Sequence, residues 1–183
     1  MKYTPLKILI VVTFLFSCKK EDVNTYPNLI CNPSFEINGQ GSLECWTIGY
    51  DYITYPDLFS SDVPPNGGNF SLSLSGGKDV DFEPYVEGCV TNIAGNKIIN
   101  LSAYVKSLYG GQPIYLWLEQ VREGQVIKSK CDMSWAFNGW RKFKVIDTLF
   151  LDTKDSIRVK IIQTTGQNSG ALVDLVEMTQ IKI

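Results

Sequence analysis

Three aromatic residues, Tyr104, Tyr115 and Trp117, each alternate with apolar neighbours at a spacing of two. Ile99, Leu101, Ala103 and Val105 alternate with Asn100, Ser102, Tyr104 and Lys106, while Ile114, Leu116 and Leu118 alternate with Tyr115, Trp117 and Glu119. Successive side chains on a strand point to opposite faces, so the aliphatic set goes to a core and the three rings to an open face. The short stretch "LYGGQP" joins the two runs, and neighbouring antiparallel strands bring such rings within reach of each other. Together they predict a flat aromatic platform with Lys106, Glu119 and Gln120 near its edge, suited to the face of a pyranose ring. The bland alternative is a set of rings half-buried under a loop. Tyr50, Tyr52 and Tyr55, in what reads as a long irregular loop from Gly49 to Phe59, and Trp135 are further aromatic candidates.

Other chemistry is narrower. The chain has no histidine, which removes Ser-His and Cys-His nucleophile pairs, histidine general bases and nearly all zinc sites. A carboxylate pair such as Glu119 with Asp132 would be needed for glycoside hydrolysis, but nothing in the sequence places these two across a cleft. Cys31, Cys45, Cys89 and Cys131 lack Cys-x-x-Cys spacing. In an exported chain four cysteines read as two disulfides. Of three connectivities, Cys31 with Cys45 and Cys89 with Cys131 closes the shorter loops; buried free thiols are the alternative.

Export is itself an expectation from the first residues. Lys2 and Lys7 precede an apolar run from Ile8 to Phe16, too short to span a bilayer as a mature helix, so residues 1–17 read as a signal peptide. The end of that run, Leu15-Phe16-Ser17-Cys18, resembles the bacterial lipobox, which implies acylation of Cys18. Several acyl chains together suffice for stable anchoring. Bulky Phe16 departs from the usual small residue. Residues 18–27 carry charge, Pro27 and no apolar pattern, as expected of a lipidated Cys and flexible tether. Lys20-Glu21-Asp22 resembles a short signal that exports lipoproteins to the outer face of the outer membrane, and is equally readable as a solvated spacer. An outer-membrane lipoprotein, exposed at the cell surface, is the expected location.

Residues 28–183 then suit one domain with a real core. The formal charge of −2 becomes more negative once Lys2 and Lys7 leave with the leader, which argues against nucleic acid as a partner. Phe70, Leu72 and Leu74 alternate with serines, and Ile157, Val159 and Ile161 with Arg158 and Lys160. The gaps carry turn chemistry such as "PPNGGN", "REGQ" and "TTGQNSG". Many short strands with short turns and no helical stripe predict an all-β, antiparallel sandwich.

The order of motifs makes the fold more specific. "NPSFE", then Trp46, then "GGNFSLSLSG", "CVTNIAGNKIINLSAYVKS", "GWRKFKV" and "ALVDLVEM" resemble the galactose-binding-domain-like jelly roll, and within it the carbohydrate-binding modules appended to xylanases and cellulases. The resemblance spans Asn28 to Ile183. It implies that Phe35 and Trp46 close one end of the core and that Trp140 does so on a later strand. It also implies that Glu36 and Asp174 help hold a structural calcium, whose preference is for carboxylate and backbone oxygens. Val173-Asp174-Leu175-Val176 has one carboxylate fewer than the family's Asp-Asp-Val, and the glutamine usual near Glu87-Gly88 is missing. The implied function is a non-catalytic cell-surface lipoprotein that binds a glycan or polysaccharide through Tyr104, Tyr115, Trp117 and Glu119. The alternative is an adhesion or protein-interaction subunit that docks a partner protein on the same face.

Overall fold

The computed structural model describes residues 27–49, 58–75, 83–109, 112–135, 138–164 and 170–181. Every regular element among them is a strand. β1 (Glu36–Ile37) and β2 (Gln40–Gly41) form a small hairpin. What we term the front sheet runs in the order β3 (Trp46–Gly49), β6 (Tyr85–Val90), β11 (Asp155–Gln163), β8 (Ile114–Arg122) and β9 (Gln125–Ser134). The back sheet runs β10 (Trp140–Leu151), β7 (Gly95–Tyr109), β12 (Gly170–Ile181), β5 (Ser71–Ser75) and β4 (Phe59–Ser60). All described pairings are antiparallel. The expected antiparallel sandwich is therefore present.

The period-two pattern decides which residues meet in the middle. Ile114, Leu116 and Leu118 of β8 and Ile157, Val159 and Ile161 of β11 are buried from the front sheet. Ile99, Leu101, Ala103 and Val105 of β7, Leu72 and Leu74 of β5, and Phe143 and Val145 of β10 are buried from the back. Burying each of the larger aliphatic side chains contributes ~1.5–3 kcal/mol, so this interleaved set is the main source of stability.

β7 and β8 do not pair, contrary to the expectation from the short stretch between them. β7 is flanked by β10 and β12, and β8 by β11 and β9, so both edges of each strand are already bonded within opposite sheets. At the front end, the Thr164 amide and hydroxyl both donate to the Pro113 carbonyl, at 3.2 and 2.9 Å, which ties the entry of β8 to the exit of β11. A periodic pattern fixes which side of a strand is apolar, not which sheet receives it.

The two ends of the domain clasp each other. Leu29 N donates to Met178 O (2.7 Å), Met178 N to Asn28 Oδ1 (2.8 Å) and Val176 N to Pro33 O (2.7 Å). The Cys31–Cys45 disulfide, with Cα atoms 5.9 Å apart, holds this segment to the start of β3. Phe35 and Trp46 close this end as expected, with ring centroids 4.8 Å apart, both buried. The Trp46 Nε1–H donates to the Asn32 carbonyl at 2.8 Å. A Cβ on Gly88 would lie 2.9 Å from the Trp46 ring, so only glycine fits beneath it.

Trp140 departs from its expected role. Phe143 and Val145 occupy the inward phase of β10, which leaves Trp140 half-buried on the outer side of the back sheet. There its Nε1–H donates to Asp62 Oδ1 at 2.9 Å. The expected Cys89–Cys131 bond is also absent. Cys89 lies on β6 and Cys131 on β9, both as exposed free thiols, with β11 and β8 between them. Three strand spacings amount to ~14 Å, about twice the Cα separation a disulfide tolerates.

Candidate functional site

The outer face of the front sheet can be read off its register. Thr47, Glu87, Lys160, Trp117 and Cys131 form one row across the strands. Tyr85, Ile162, Tyr115 and Met133 form the next row, and Cys89, Arg158, Glu119 and Ser129 the row on the other side. Tyr115 and Trp117 are half-buried and stack along β8, with centroids 6.0 Å apart and planes 22° apart. Lys160 Nζ sits 3.9 Å from the centre of the Tyr85 ring, a cation–π contact.

Charge on this face is paired. Arg158 Nε donates to Glu119 at 2.6 Å, and its Nη1 lies 3.8 Å from Glu87. Lys160 Nζ is 4.0 Å from the same Glu87 carboxylate. Aromatic surface is thus bordered by a fixed network of donors and acceptors. Such a face can stack on the apolar side of a sugar ring while the rim hydrogen-bonds to hydroxyls.

The sequence-derived set is only partly brought together here. Tyr115, Trp117 and Glu119 share the face. Tyr104 does not, because β7 lies in the back sheet. It is half-buried on the opposite outer surface, paired in register with Lys142, whose Nζ lies 5.6 Å from its ring centre. Lys106 is likewise on the back sheet, ion-paired with Asp62. Gln120 points inward and is buried, donating to Asp155 Oδ2 (2.6 Å) and Phe150 O (2.9 Å). Glu119 and Asp132 do not form a catalytic pair. Glu119 stands opposite Ser129 on the outer phase, whereas Asp132 stands opposite Leu116 on the inner phase and accepts from Lys144 N at 3.0 Å. Trp135, 61% exposed, follows β9 at the sheet border. Tyr50, Tyr52, Tyr55 and Cys18 lie outside the described residues.

Sequence reasoning missed Tyr85, Glu87, Arg158 and Lys160 as members of this face. Their alternation with Val86, Val159 and Ile161 was visible, but their place beside β8 depends on strand order.

Glu36 and Asp174 do converge, at a second location. Glu36 Oε2 accepts the amides of Asn69 (2.7 Å) and Phe70 (3.0 Å). Asp174 is fully buried, and its Oδ1 accepts from Leu175 N at 2.7 Å. Its Oδ2 has no hydrogen-bond partner among the described residues. Two successive glycines make room for both carboxylates. A Cβ on Gly67 would lie 2.8 Å from Asp174 Oδ2, and one on Gly68 would lie 1.8 Å from Glu36 Oε1. Burial, reinforced by the charge of Glu36 and opposed by the Leu175 amide, pushes the Asp174 carboxyl up to about 7. Phe35 (φ 54°) and Leu175 (φ 48°), each next to one of these carboxylates, hold left-handed backbone that bulky residues rarely adopt. Strain of this kind clusters where a site is over-determined. A buried orphan oxygen facing a second carboxylate fits a hard cation, although no group of three or more acidic, Cys or His ligands is present among the described residues. Backbone oxygens would have to complete the shell.

No family model matches the sequence, and no curated protein matches it. The fold has clear likenesses among solved structures. Tailspike protein 4 of bacteriophage CBA120, an enzymatically active domain, superposes with a TM-score of 0.65 at 14% identity, over 84% of this chain and 21% of that one. This chain thus spans about a fifth of that protein. The module TmCBM61, solved with β-1,4-galactotriose, gives 0.58 at 14% identity, over 85% of this chain and 99% of that one. The CBM22-1 xylan-binding domain of Paenibacillus barcinonensis Xyn10C gives 0.54 at 17% identity, over 82% and 92%. The architecture is that of the carbohydrate-binding-module jelly roll, as the ordered motifs implied.

Proposed function

We propose that this chain is a non-catalytic glycan-binding module that grips a polysaccharide or glycan on the outer face of its front sheet. The observation that carries the reading is the stacked Tyr115–Trp117 pair, bordered by the Arg158–Glu119–Glu87–Lys160 network. The glycan-binding modules that share the fold, TmCBM61 with its galactotriose and the xylan-binding domain, support it. In this reading Trp117 and Tyr115 stack on sugar faces, and the Glu119 and Arg158 network supplies directional bonds. Tyr104 has no part in it.

The chain is held to the membrane through an acylated Cys18, which would present the domain at the cell surface. A structural calcium held by Glu36 and Asp174 would neutralise the buried carboxylate and tie the N-terminal segment to β12, whose pairing with β7 shifts register between Asp174 and Glu177. A second reading is protein docking at the same face, favoured by Met133 (42% exposed), opposite Tyr115 in register, and by the exposed Trp135 just past the end of β9. A glycan array probed with the purified chain separates them. Retention on one polysaccharide class supports glycan binding, and no retention on any glycan favours a protein partner.

A further inference from the structure

A cavity of about 430 Å³ opens at the β3 end of the front sheet, and three of the chain's cysteines line it: Cys31, Cys45 and Cys89, with Glu87 and Arg158 beside them. Cys31 and Cys45 are bonded, and Cys89 is a free, exposed thiol. Trp46 pairs with Gly88 in the β3–β6 ladder. Cys45 immediately precedes Trp46, in a turn with φ 70°, and Cys89 immediately follows Gly88, so both border this end of the ladder. Cys45 therefore shares one cavity wall with the sulfur it is bonded to, that of Cys31, and with the free thiol of Cys89.

We propose that this cavity is a thiol–disulfide exchange site in which Cys89 displaces Cys31 from Cys45. The Cys89 thiol loses its proton to solvent. Its thiolate attacks Cys45 Sγ, the Cys45–Cys89 bond forms, and the Cys31–Cys45 bond breaks. The electron pair leaves on Cys31 Sγ, which takes up a proton. One disulfide and one thiol are present before and after, so the step needs no oxidant or reductant. Arg158 lines the same cavity and stands opposite Cys89 in the β6–β11 register, beside the attacking sulfur. All three cysteines are exposed, so no burial blocks the approach.

Exchange would change more than a sulfur pairing. Cys31 anchors the segment from which Asn32 Oδ1 accepts the Glu36 amide at 2.9 Å. Releasing Cys31 removes the covalent tie on the strand that presents Glu36. Glu87 and Arg158 belong both to the cavity and to the charged border of the aromatic face, so the sulfur pairing and the binding face are neighbours.

The test is disulfide-linked peptide mapping of Cys31→Ser in the full chain, alkylated under native conditions. The expected product joins the Cys45 and Cys89 peptides and leaves Cys131 alkylated. Alkylation of both Cys45 and Cys89, or a bond from Cys45 to Cys131, overturns the proposal. If the variant does not accumulate, the wild-type chain is held in mildly alkaline buffer, acid-quenched and mapped. A Cys45–Cys89 peptide beside the Cys31–Cys45 peptide, lost in Cys89→Ser, supports exchange. Recovery of Cys31–Cys45 alone overturns it.

Discussion

At the scale of single residues, buried charge is handled in two opposite ways. Asp155 is buried but accepts from Arg122 Nε at 2.6 Å, from Gln120 and from the Asp152 amide, and the Arg122 bond above all holds its carboxyl well below the usual range. Asp174 has no such cation among the described residues, so burial and Glu36 push its carboxyl up to about 7. A raised folded-state value means that the neutral form is favoured in the fold. The contribution to stability is therefore full below the ordinary value of 3.8 and is lost as pH rises through about 7. In excess chelator, the melting temperature should fall across that window. Calcium should reverse the fall, because a ligand bound only to the folded state stabilises it by mass action. Asp174→Asn should abolish both the pH slope and the calcium response. Melting curves that ignore chelator and pH, with no metal by elemental analysis, would remove the site.

At the scale of elements, β8 serves two layers. Its even core positions hold the sandwich together, and its odd positions build the aromatic face. Leu116→Ala should cost about 2–5 kcal/mol by urea unfolding, while the fraction that remains folded keeps its ligand affinity. A loss under 1 kcal/mol would mean that the core phase of β8 is misassigned. This phase was legible in the sequence because Leu116 and Trp117 alternate without interruption. The partners of β8 were not legible, since loop closure depends only weakly on length and a short link does not force a hairpin. That is why Tyr104 was grouped with Trp117 and why Lys160 and Tyr85 were missed. Cys89 and Cys131 failed for the same reason: loop size favoured a bond that strand order forbids. That Glu36 and Asp174 come to one place was legible through the ordered motifs, although the left-handed backbone of their neighbours Phe35 and Leu175 leaves no trace in residue type. Trp140 misled because an aromatic in a strand reads equally as core or cover.

At the scale of the molecule, the proposed function joins a lipid-anchored N-terminus to a glycan-binding face on a jelly roll. Cys18→Ser should move the protein out of the membrane fraction or leave it unprocessed. A processed form that still sediments with membranes would contradict the lipid anchor. The central claim is that the outer face of the front sheet binds glycan, and Trp117→Ala tests it most directly. Thermal melts and polysaccharide affinity-gel retardation are measured together for wild type and variant. The expected result is a retarded wild type and a variant whose binding is weaker by roughly 1–3 kcal/mol, by analogy with bases stacked on aromatics, with folding nearly intact. A stability loss of about 3–5 kcal/mol, or retardation unchanged by the substitution, would contradict it.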